Sequence, residues 1–272
     1  FLSAFHQARP GWRLSGQDHC AQRREEVLAR PGVCGFHCGG LEAISGQYDA
    51  VSMIYVLEHM PDPVAELARV RALLKPGGAL LVMVPDLAQS FFDFAVVDHC
   101  GHFFAETLVR AVDLAGFEVV ALGGAWMAKE VGLVARPRAE GGLAGSTACG
   151  SGTDADRGLA LASGGLDWLA VALEQARAAA RQCREQGRGF GLFGTAIAGT
   201  WLAQALETSV DFFVDEDAQR WGKVHLGVPI LGPVDVPPSA EVFLGFPQVM
   251  GKAIFERLAK QHPALNLLLP AV

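Results

Sequence analysis

The chain has 272 residues, 51% of them hydrophobic, and a formal net charge of -7 at pH 7. An acidic chain offers no basic surface for a phosphate backbone, which excludes nucleic acid as an expected partner. No uninterrupted apolar run approaches the roughly 18 residues that a membrane-spanning helix needs. We therefore expect a cytoplasmic protein, with no membrane partner, that acts on a small molecule and has room for two domains.

The first half of the chain alternates between patterns typical of helices and of strands. A helix without a preceding cap is indicated from Phe1, and the run at 48–57 is apolar enough for a strand covered on both faces in the interior of a sheet. The turn at 75–78 ends the preceding helix. In chain order we predict a strand at 12–16, a helix at 22–29, strands at 33–37 and 48–57, a helix at 63–74, a strand at 79–84, a helix at 107–115, and strands at 117–122 and 130–135.

The second half begins after a change in composition. Residues 136–165 are rich in Gly, Ala, Ser and Thr without periodicity, which predicts a linker. A helix at 166–186 follows, and a second unit of strand, glycine turn, helix and strand begins at Gly189. The predicted domains are 1–136, a linker and helix at 137–186, and 187–272. The alternation of helices and strands predicts an α/β fold with a largely parallel sheet.

The six cysteines, scattered through a chain of this size, are expected to be reduced thiols. Five potential zinc ligands lie in one stretch, but their spacing matches no paired-cysteine site, and no metal is predicted. The six cysteines are Cys20, Cys34, Cys38, Cys100, Cys149 and Cys183, and the five potential ligands are His19, Cys20, Cys34, His37 and Cys38.

Four segments of the first half form a series in a fixed order and spacing. They are Tyr48-Asp49-Ala50-Val51, Val56-Leu57-Glu58-His59, Leu74-Lys75-Pro76-Gly77-Gly78 and Val84-Pro85-Asp86. The pattern continues through His99 and His102-Phe103 to Leu108 and Gly116-Phe117. Together these segments resemble class I S-adenosylmethionine-dependent methyltransferases. The resemblance implies a Rossmann-like domain with S-adenosylmethionine as cofactor.

The family's first strand and its GxGxG loop have no counterpart in these 272 residues. We therefore expect an incomplete Rossmann-like methyltransferase domain, cut before the glycine loop, whose parent protein binds the cofactor. The chain itself is expected to bind it poorly or not at all.

The resemblance also implies which residues meet the cofactor, since ligands of such sheets lie over the carboxyl ends of the strands. Asp18 would accept hydrogen bonds from the ribose, and Leu41 and Glu42 would frame the adenine. Asp18 could instead cap the next helix, and Glu42 could be a solvated loop residue. The methionine end and the acceptor would face Tyr55, Glu58 and His59, although the last two could brace a turn instead.

A glycine turn at 191–196 opens a helix predicted at 197–206, and the backbone amides of the turn suit an anion. With Val214-Asp215, Gly222-Lys223 and Gly227-Val228-Pro229-Ile230, this turn resembles the C-terminal domain of sugar C-methyltransferases. The resemblance implies a second, smaller Rossmann-like domain and a nucleotide-linked keto sugar as substrate. The glycines could alternatively serve only a tight turn. The residues implied to contact the substrate are Gly191, Gly194, Thr195, Ala196, Asp215 and Lys223.

Methylation at carbon requires removal of a proton beside a ketone, for which a histidine with a pKa near neutral is suited. His99 matches the family's catalytic histidine, and His102 stands where the family has tyrosine. Val96 replaces another family tyrosine, and O-methyltransferase-like relatives also carry a histidine before the phenylalanine. The prediction is C-methylation of a nucleotide-linked sugar. O-methylation of a small metabolite, a non-catalytic nucleotide-binding remnant, and a nicotinamide-dependent oxidoreductase using Gly191 and Asp215 stay open.

Overall fold

The computed structural model describes residues 1–123, 129–139 and 153–271. Within these ranges the chain forms seven α-helices and twelve β-strands, and none of these helices combines the length and apolarity needed to cross a membrane. The helices are α1 (Leu2–Ala8), α2 (Arg24–Leu28), α3 (Pro63–Leu73), α4 (Ala105–Leu114), α5 (Thr153–Glu185), α6 (Ile197–Leu206) and α7 (Gln248–Gln261). The strands are β1 (Leu14–Asp18), β2 (Val33–Cys38), β3 (Tyr48–Ile54), β4 (Leu74–Pro85), β5 (Phe117–Gly123), β6 (Glu130–Pro137), β7 (Phe190–Phe193), β8 (Phe212–Val214), β9 (Val224–His225), β10 (Val228–Leu231), β11 (Glu241–Phe243) and β12 (Asn266–Leu268).

The local sequence explains where the well-predicted helices start and stop. Asp62 caps α3 by accepting a hydrogen bond from the Ala65 amide at 3.0 Å, and Pro63 occupies the first turn, where its missing N–H costs nothing. Gly116 follows α4 with a φ of 85°, the left-handed conformation that ends many helices. The bounds of α6 coincide with the predicted helix at 197–206.

The chain folds as two compact units. The first contains Phe1–Val84 and Ala105–Cys149, and the second contains Pro85–Phe104 and Gly150–Val272. The sequence predicted divisions at 136 and 186 and did not separate the segment at 85–104. That segment joins the second unit because Phe92 packs edge-on against Trp168 and Trp201, with ring centroids 5.6 and 5.7 Å apart.

The first unit contains two separate sheets. Strands β1 and β2 form a parallel pair, and the other sheet has the order β3-β4-β6-β5, with β3 parallel to β4 and β5 antiparallel to β6. Within the described residues, no strand pairs with the outer side of β1 in one sheet or of β3 in the other. The four-stranded sheet is mixed, whereas the pair β1-β2 is parallel.

The prediction that the run at 48–57 is an interior strand is wrong. Strand β3 ends at Ile54 and lies at the edge of its sheet, because no strand pairs with its second side within the described residues. Ala50 and Ser52 are consequently exposed. The apolar residues of the run are typical of an interior strand, but in the described residues β3 has a neighbouring strand on one side only.

Two strand boundaries also differ from the predictions. Strand β1 begins two residues later than the predicted 12–16, so Asp18 ends the strand rather than following it. The turn predicted at 75–78 belongs to β4, which starts directly after α3 with Leu74 opposite Tyr48. Gly77 has a φ of 76° at this point, and the register of the two strands shifts beside it.

The linker prediction for 136–165 is wrong over most of the part that the structure describes. Strand β6 continues to Pro137 and α5 begins at Thr153, whereas 140–152 lies outside the described residues. Small residues in α5 serve close packing: a Cβ added at Gly165 would lie 2.6 Å from the ring of Phe91. The glycine-rich composition therefore indicated a linker, although Gly165 is a helical residue that packs against Phe91.

The second unit is built on a six-stranded sheet of order β12-β11-β7-β8-β10-β9, in which only β9 is antiparallel to its neighbour. Helices α5 and α6 cover one face, where Ala176, Leu202 and Phe213 are at most 1% exposed, and α7 covers the other through Leu258. Strands β8 and β11 lie on opposite sides of β7, so the strand order reverses at β7. Ligands of such sheets bind beyond the carboxyl ends of the strands at the point of reversal.

Candidate functional site

Two histidines and one aspartate form a compact cluster in the segment at 85–104. The Nδ1 atom of His99 lies 2.6 Å from Oδ1 of Asp93, and Nδ1 of His102 lies 2.5 Å from Oδ2 of the same carboxylate. The Asp93 side chain is 2% exposed, that of His99 9% and that of His102 28%. One buried carboxylate therefore accepts hydrogen bonds from both rings.

The local fold of the segment brings these residues together. Asp93 lies in a short 3-10 helix, Phe91–Ala95, and the Val96 amide donates to its carbonyl. The Leu87 amide donates to the Phe103 carbonyl at 2.8 Å, which closes the base of the loop. The ring of His102 packs on Phe94 with a centroid distance of 4.6 Å. Both predicted catalytic histidines thus face one carboxylate that the sequence did not single out.

Asp18 lies at the carboxyl end of β1. Its Oδ1 accepts a hydrogen bond from the Cys20 amide at 3.0 Å, and this bond is the main reason that the pKa of Asp18 is lowered. The residue thus closes a turn and does not cap the next helix, because the N-cap position of α2 is Arg23. It also borders a cavity of about 310 Å³ that Gly16, Gln17 and Phe36 help to line.

Leu41 and Glu42 follow β2 in a 3-10 helix beside that turn. The Gly39 amide donates to the Asp18 carbonyl at 3.0 Å, so the ends of β1 and β2 lie together. Leu41 is half-buried, and exposed Glu42 accepts a hydrogen bond from the Gly40 amide at 3.2 Å. These positions follow successive parallel strands, in the predicted order.

Tyr55, Glu58 and His59 follow β3. Tyr55 adopts a φ of 55°, unusual for a residue with a side chain, and its amide donates to the Met83 carbonyl at 2.9 Å. Desolvation and a hydrogen bond with Glu130 raise the pKa of the Tyr55 phenol, which therefore stays protonated at neutral pH. Glu58 is 1% exposed and His59 is exposed.

In the second unit, Thr195 and Asp215 meet at the carboxyl ends of β7 and β8. Oδ2 of Asp215 accepts hydrogen bonds from the Thr195 amide at 3.2 Å and its hydroxyl at 2.7 Å. Arg220 Nη1 lies 3.1 Å from the same oxygen and 2.6 Å from the Thr195 hydroxyl. Burial acts to raise the pKa of Asp215, but hydrogen bonds from the Asp217 amide and Thr195, with the charge of Arg220, hold it below its ordinary value.

The structure separates the other residues of the predicted substrate site. Gly191 lies inside β7, where a Cβ would come within 2.2 Å of the Phe212 ring, and Gly194 makes the turn with a φ of 83°. Ala196 is exposed and precedes α6. Lys223 is exposed and accepts a backbone hydrogen bond from the Ile230 amide. Thr195, Asp215 and the flanking Gly194 are the members brought together.

Three residues with specific contacts at these sites were missed by sequence reasoning. Asp93 precedes His99 by six residues, a spacing inside an irregular loop that no periodicity marks. Arg220 follows Asp215 by five residues in a turn, where a basic residue gave only a weak signal. Glu130 comes from β6, and nothing in the sequence linked it to Tyr55.

Residues 7–122 match the family model described as a methyltransferase domain. Among curated proteins, the chain is similar to the ubiquinone biosynthesis O-methyltransferase of Marinobacter nauticus, 40% identical over 53 residues, and to that of Xanthomonas campestris pv. campestris, 42% identical over 52 residues. The matched segments cover 20% and 19% of this chain. The chain spans only 22% of the length of each of these relatives.

Among solved structures, the chain is similar to the mitomycin 7-O-methyltransferase MmcR, with a TM-score of 0.44 and 20% sequence identity. That alignment covers 51% of this chain and 45% of the other.

Proposed function

We propose that this chain is part of an S-adenosylmethionine-dependent methyltransferase that acts on a small molecule. The match of residues 7–122 to the methyltransferase domain family carries the proposal. The order of the candidate cofactor residues supports it, because Asp18, Leu41 and Tyr55 each lie at or after the carboxyl end of a successive strand. Ligands of open α/β sheets bind at that edge.

The chemistry of these side chains suits the cofactor. The lowered pKa keeps Asp18 ionised at neutral pH, as an acceptor of ribose hydroxyls needs, and the cavity beside it has room for part of a ligand. Leu41 offers apolar surface to an adenine ring, and Glu42 stands next to it in the same turn. S-adenosylmethionine supplies an electrophilic methyl group when it is bound.

We propose further that the cofactor site is completed by one more parallel strand. The outer edges of β1 and β3 support this, since along each of them a row of backbone N–H and C=O groups has no strand partner within the described residues. Exposure of Ala50 and Ser52 on β3 supports it as well. A loop that follows such a strand would offer backbone amides to the methionine end of the cofactor.

In the proposed reaction, His99 is the base that takes a proton from the acceptor and His102 assists it. A histidine is suited to this step because its pKa lies near the working pH. Removal of a C–H proton beside a ketone leads to C-methylation, and removal of an O–H proton leads to O-methylation. The curated relatives are O-methyltransferases, which favours the second outcome as the alternative to sugar C-methylation.

For the substrate we propose a nucleotide-linked sugar or a similar polar metabolite, bound at the carboxyl ends of β7 and β8. The ionised Asp215 suits a ribose hydroxyl, and Arg220 beside it suits a phosphate. Gly194, Thr195 and Ala196 contribute the turn at the start of α6, and Lys223 adds a second cation nearby in sequence. Gly191 acts through packing of the strand beneath them.

Calorimetry with S-adenosylhomocysteine tests the cofactor proposal on two polypeptides, residues 1–272 and the product of the complete coding sequence that contains them. We expect micromolar binding by the complete product and at least about tenfold weaker binding by residues 1–272, the difference that about 1.4 kcal/mol makes. Equal binding by both would refute the need for a further strand. No binding by either would refute the methyltransferase itself.

A further inference from the structure

We propose that Asp93 is a positioning residue that fixes both the orientation and the tautomer of His99 and His102. A carboxylate only accepts hydrogen bonds, so each ring that bonds to it through Nδ1 carries its proton on Nδ1. Each neutral ring then has Nε2 as its proton-accepting nitrogen. The use of that nitrogen in catalysis rests on the proposed methyltransferase function, whereas the tautomer itself does not.

Burial makes this arrangement obligatory for Asp93. Its side chain is 2% exposed, and an ionised carboxylate removed from water is costly unless hydrogen bonds compensate. The two imidazole N–H groups, at 2.6 and 2.5 Å, supply one bond to each carboxylate oxygen. Moving the proton of either neutral ring from Nδ1 to Nε2 would place the Nδ1 lone pair against the carboxylate and remove one of these bonds.

The scaffold around Asp93 holds the carboxylate in place. Its neighbour Phe92 is 4% exposed and lies between the rings of Trp168 and Trp201. The other neighbour, Phe94, packs against the ring of His102. Asp93 is therefore fixed from both sides of the 3-10 helix, as a residue that orients a base must be.

The two rings differ in their access to solvent, which assigns them different tasks. His99 is the more enclosed at 9% exposure, and His102 is 28% exposed. A single carboxylate thus orients one ring inside the loop and one at its surface. This matches the proposed division between a base, His99, and an assisting residue, His102.

The test is nitrogen-15 NMR of the histidine side chains in residues 1–272, with His99→Gln and His102→Gln used to assign the signals. We expect both rings to be in the Nδ1–H tautomer, the opposite of the Nε2–H form that exposed histidines favour. Finding either ring in the Nε2–H form in the unsubstituted chain would overturn the proposal, with no variant required.

The Asp93→Asn variant sharpens the test. The amide keeps one acceptor oxygen but presents a donor nitrogen in place of the other, so we expect one of the two rings to change to Nε2–H. Asp167→Asn is the matched control, because it makes the same charge change at an exposed position of α5 and should change neither ring. The indole signals of Trp168 and Trp201 report whether the loop stays folded, and unchanged tautomers in a folded Asp93→Asn variant would refute the role.

A second measurement connects the tautomer to catalysis. In the complete polypeptide, Asp93→Asn is expected to lower kcat by about 10²- to 10⁴-fold with KM nearly unchanged, as loss of the correct tautomer does in other enzymes. Asp93→Glu, which restores a carboxylate, should recover part of the loss. If both rings are in the Nδ1–H form but the complete polypeptide transfers no methyl group, the proposed function is refuted and the positioning role of Asp93 stands. If the complete polypeptide has both rings in the Nδ1–H form and its Asp93→Asn variant keeps full activity, the use of these tautomers in catalysis is refuted.

Discussion

A carboxylate that accepts hydrogen bonds lies at each of three candidate sites in this protein. Asp93 accepts from two imidazoles, and Asp215 accepts from Thr195, the Asp217 amide and Arg220. Asp18 accepts from the Cys20 amide. Donors around a carboxylate favour its ionised form, so these residues combine a fixed geometry with a negative charge at neutral pH where their pKa is lowered, as for Asp18 and Asp215.

The stability of the second unit should depend on Asp215 in acid. Its pKa in the folded protein is below the ordinary 3.8, so ionised Asp215 stabilises the fold above that pH, and this contribution is lost as the pH falls through the folded pKa. Asp215→Asn should therefore flatten the loss of stability below pH 3.8, measured by urea unfolding across the acid range. Asp167→Asn is the control, and its free energy of unfolding should fall with decreasing pH as steeply as that of the parent. An equally steep fall in Asp215→Asn would contradict the expectation.

The proposed role of His99 as base predicts a loss of turnover when its side chain is removed. In the complete polypeptide, His99→Ala should lower kcat by about 10²- to 10⁴-fold, the usual contribution of a positioned general base. His262→Ala, at the carboxyl end of α7, should leave kcat within about twofold and controls for loss of a histidine elsewhere. Unchanged turnover in His99→Ala would remove His99 from the mechanism, whatever its tautomer.

Regular elements position some of the residues that the sequence singled out, whereas His99 and His102 were singled out by resemblance alone. Asp18 and Asp215 lie at the ends of apolar strands, and Gly194 and Thr195 open a periodic helix, so pattern and position together indicate them. Asp93 lies in an irregular loop, and its importance comes from burial and from two side chains that follow it in the chain. A buried residue in a loop produces no periodic hydrophobic pattern in the sequence. The role of Asp93 is therefore visible only in the structure.

At the level of helices and strands, two glycines with opposite surroundings test the packing. Gly191→Ala in β7 should destabilise the protein by about 1–3 kcal/mol, because the new methyl group would lie 2.2 Å from the ring of Phe212. Gly164→Ala in α5 should stabilise it by about 0.5–1 kcal/mol, since the position is exposed, helical and open. Urea unfolding of both variants measures the two changes in the free energy of unfolding. A Gly191→Ala variant as stable as the parent would show that the Phe212 ring moves aside without cost.

Most elements were predictable, and those that were not have identifiable physical causes. The predicted bounds of the helix α6 and of the strand β2 match the structure to within one residue. The edge position of β3 depends on which other strands pair with it. The residues of β3 themselves contain no information about these partners. Gly165 of α5 lies against the ring of Phe91, but the small residues around it give this part of the helix the composition of a linker.

For the whole molecule, the two units should differ in how well they protect their backbone. The two-stranded sheet β1-β2 is half-exposed and too small to be stable by itself, whereas β7 lies inside a six-stranded sheet and is buried throughout. Hydrogen exchange followed by mass spectrometry should therefore show β7 exchanging at least about tenfold more slowly than β1, since 1.4 kcal/mol of opening free energy makes that difference. Equal protection of the two would contradict it.

The membership of Pro85–Phe104 in the second unit has a consequence for any recombination of this protein with its relatives. A chimera with its crossover at residue 136 would take Phe92 from one parent and Trp168 from the other, and would break the aromatic contact that holds the histidine loop. A chimera that exchanges 85–104 together with the segment from 150 onward keeps both partners from one parent. The histidines would then be inherited with the unit that carries Asp215, so that the proposed base and the proposed substrate site are exchanged together.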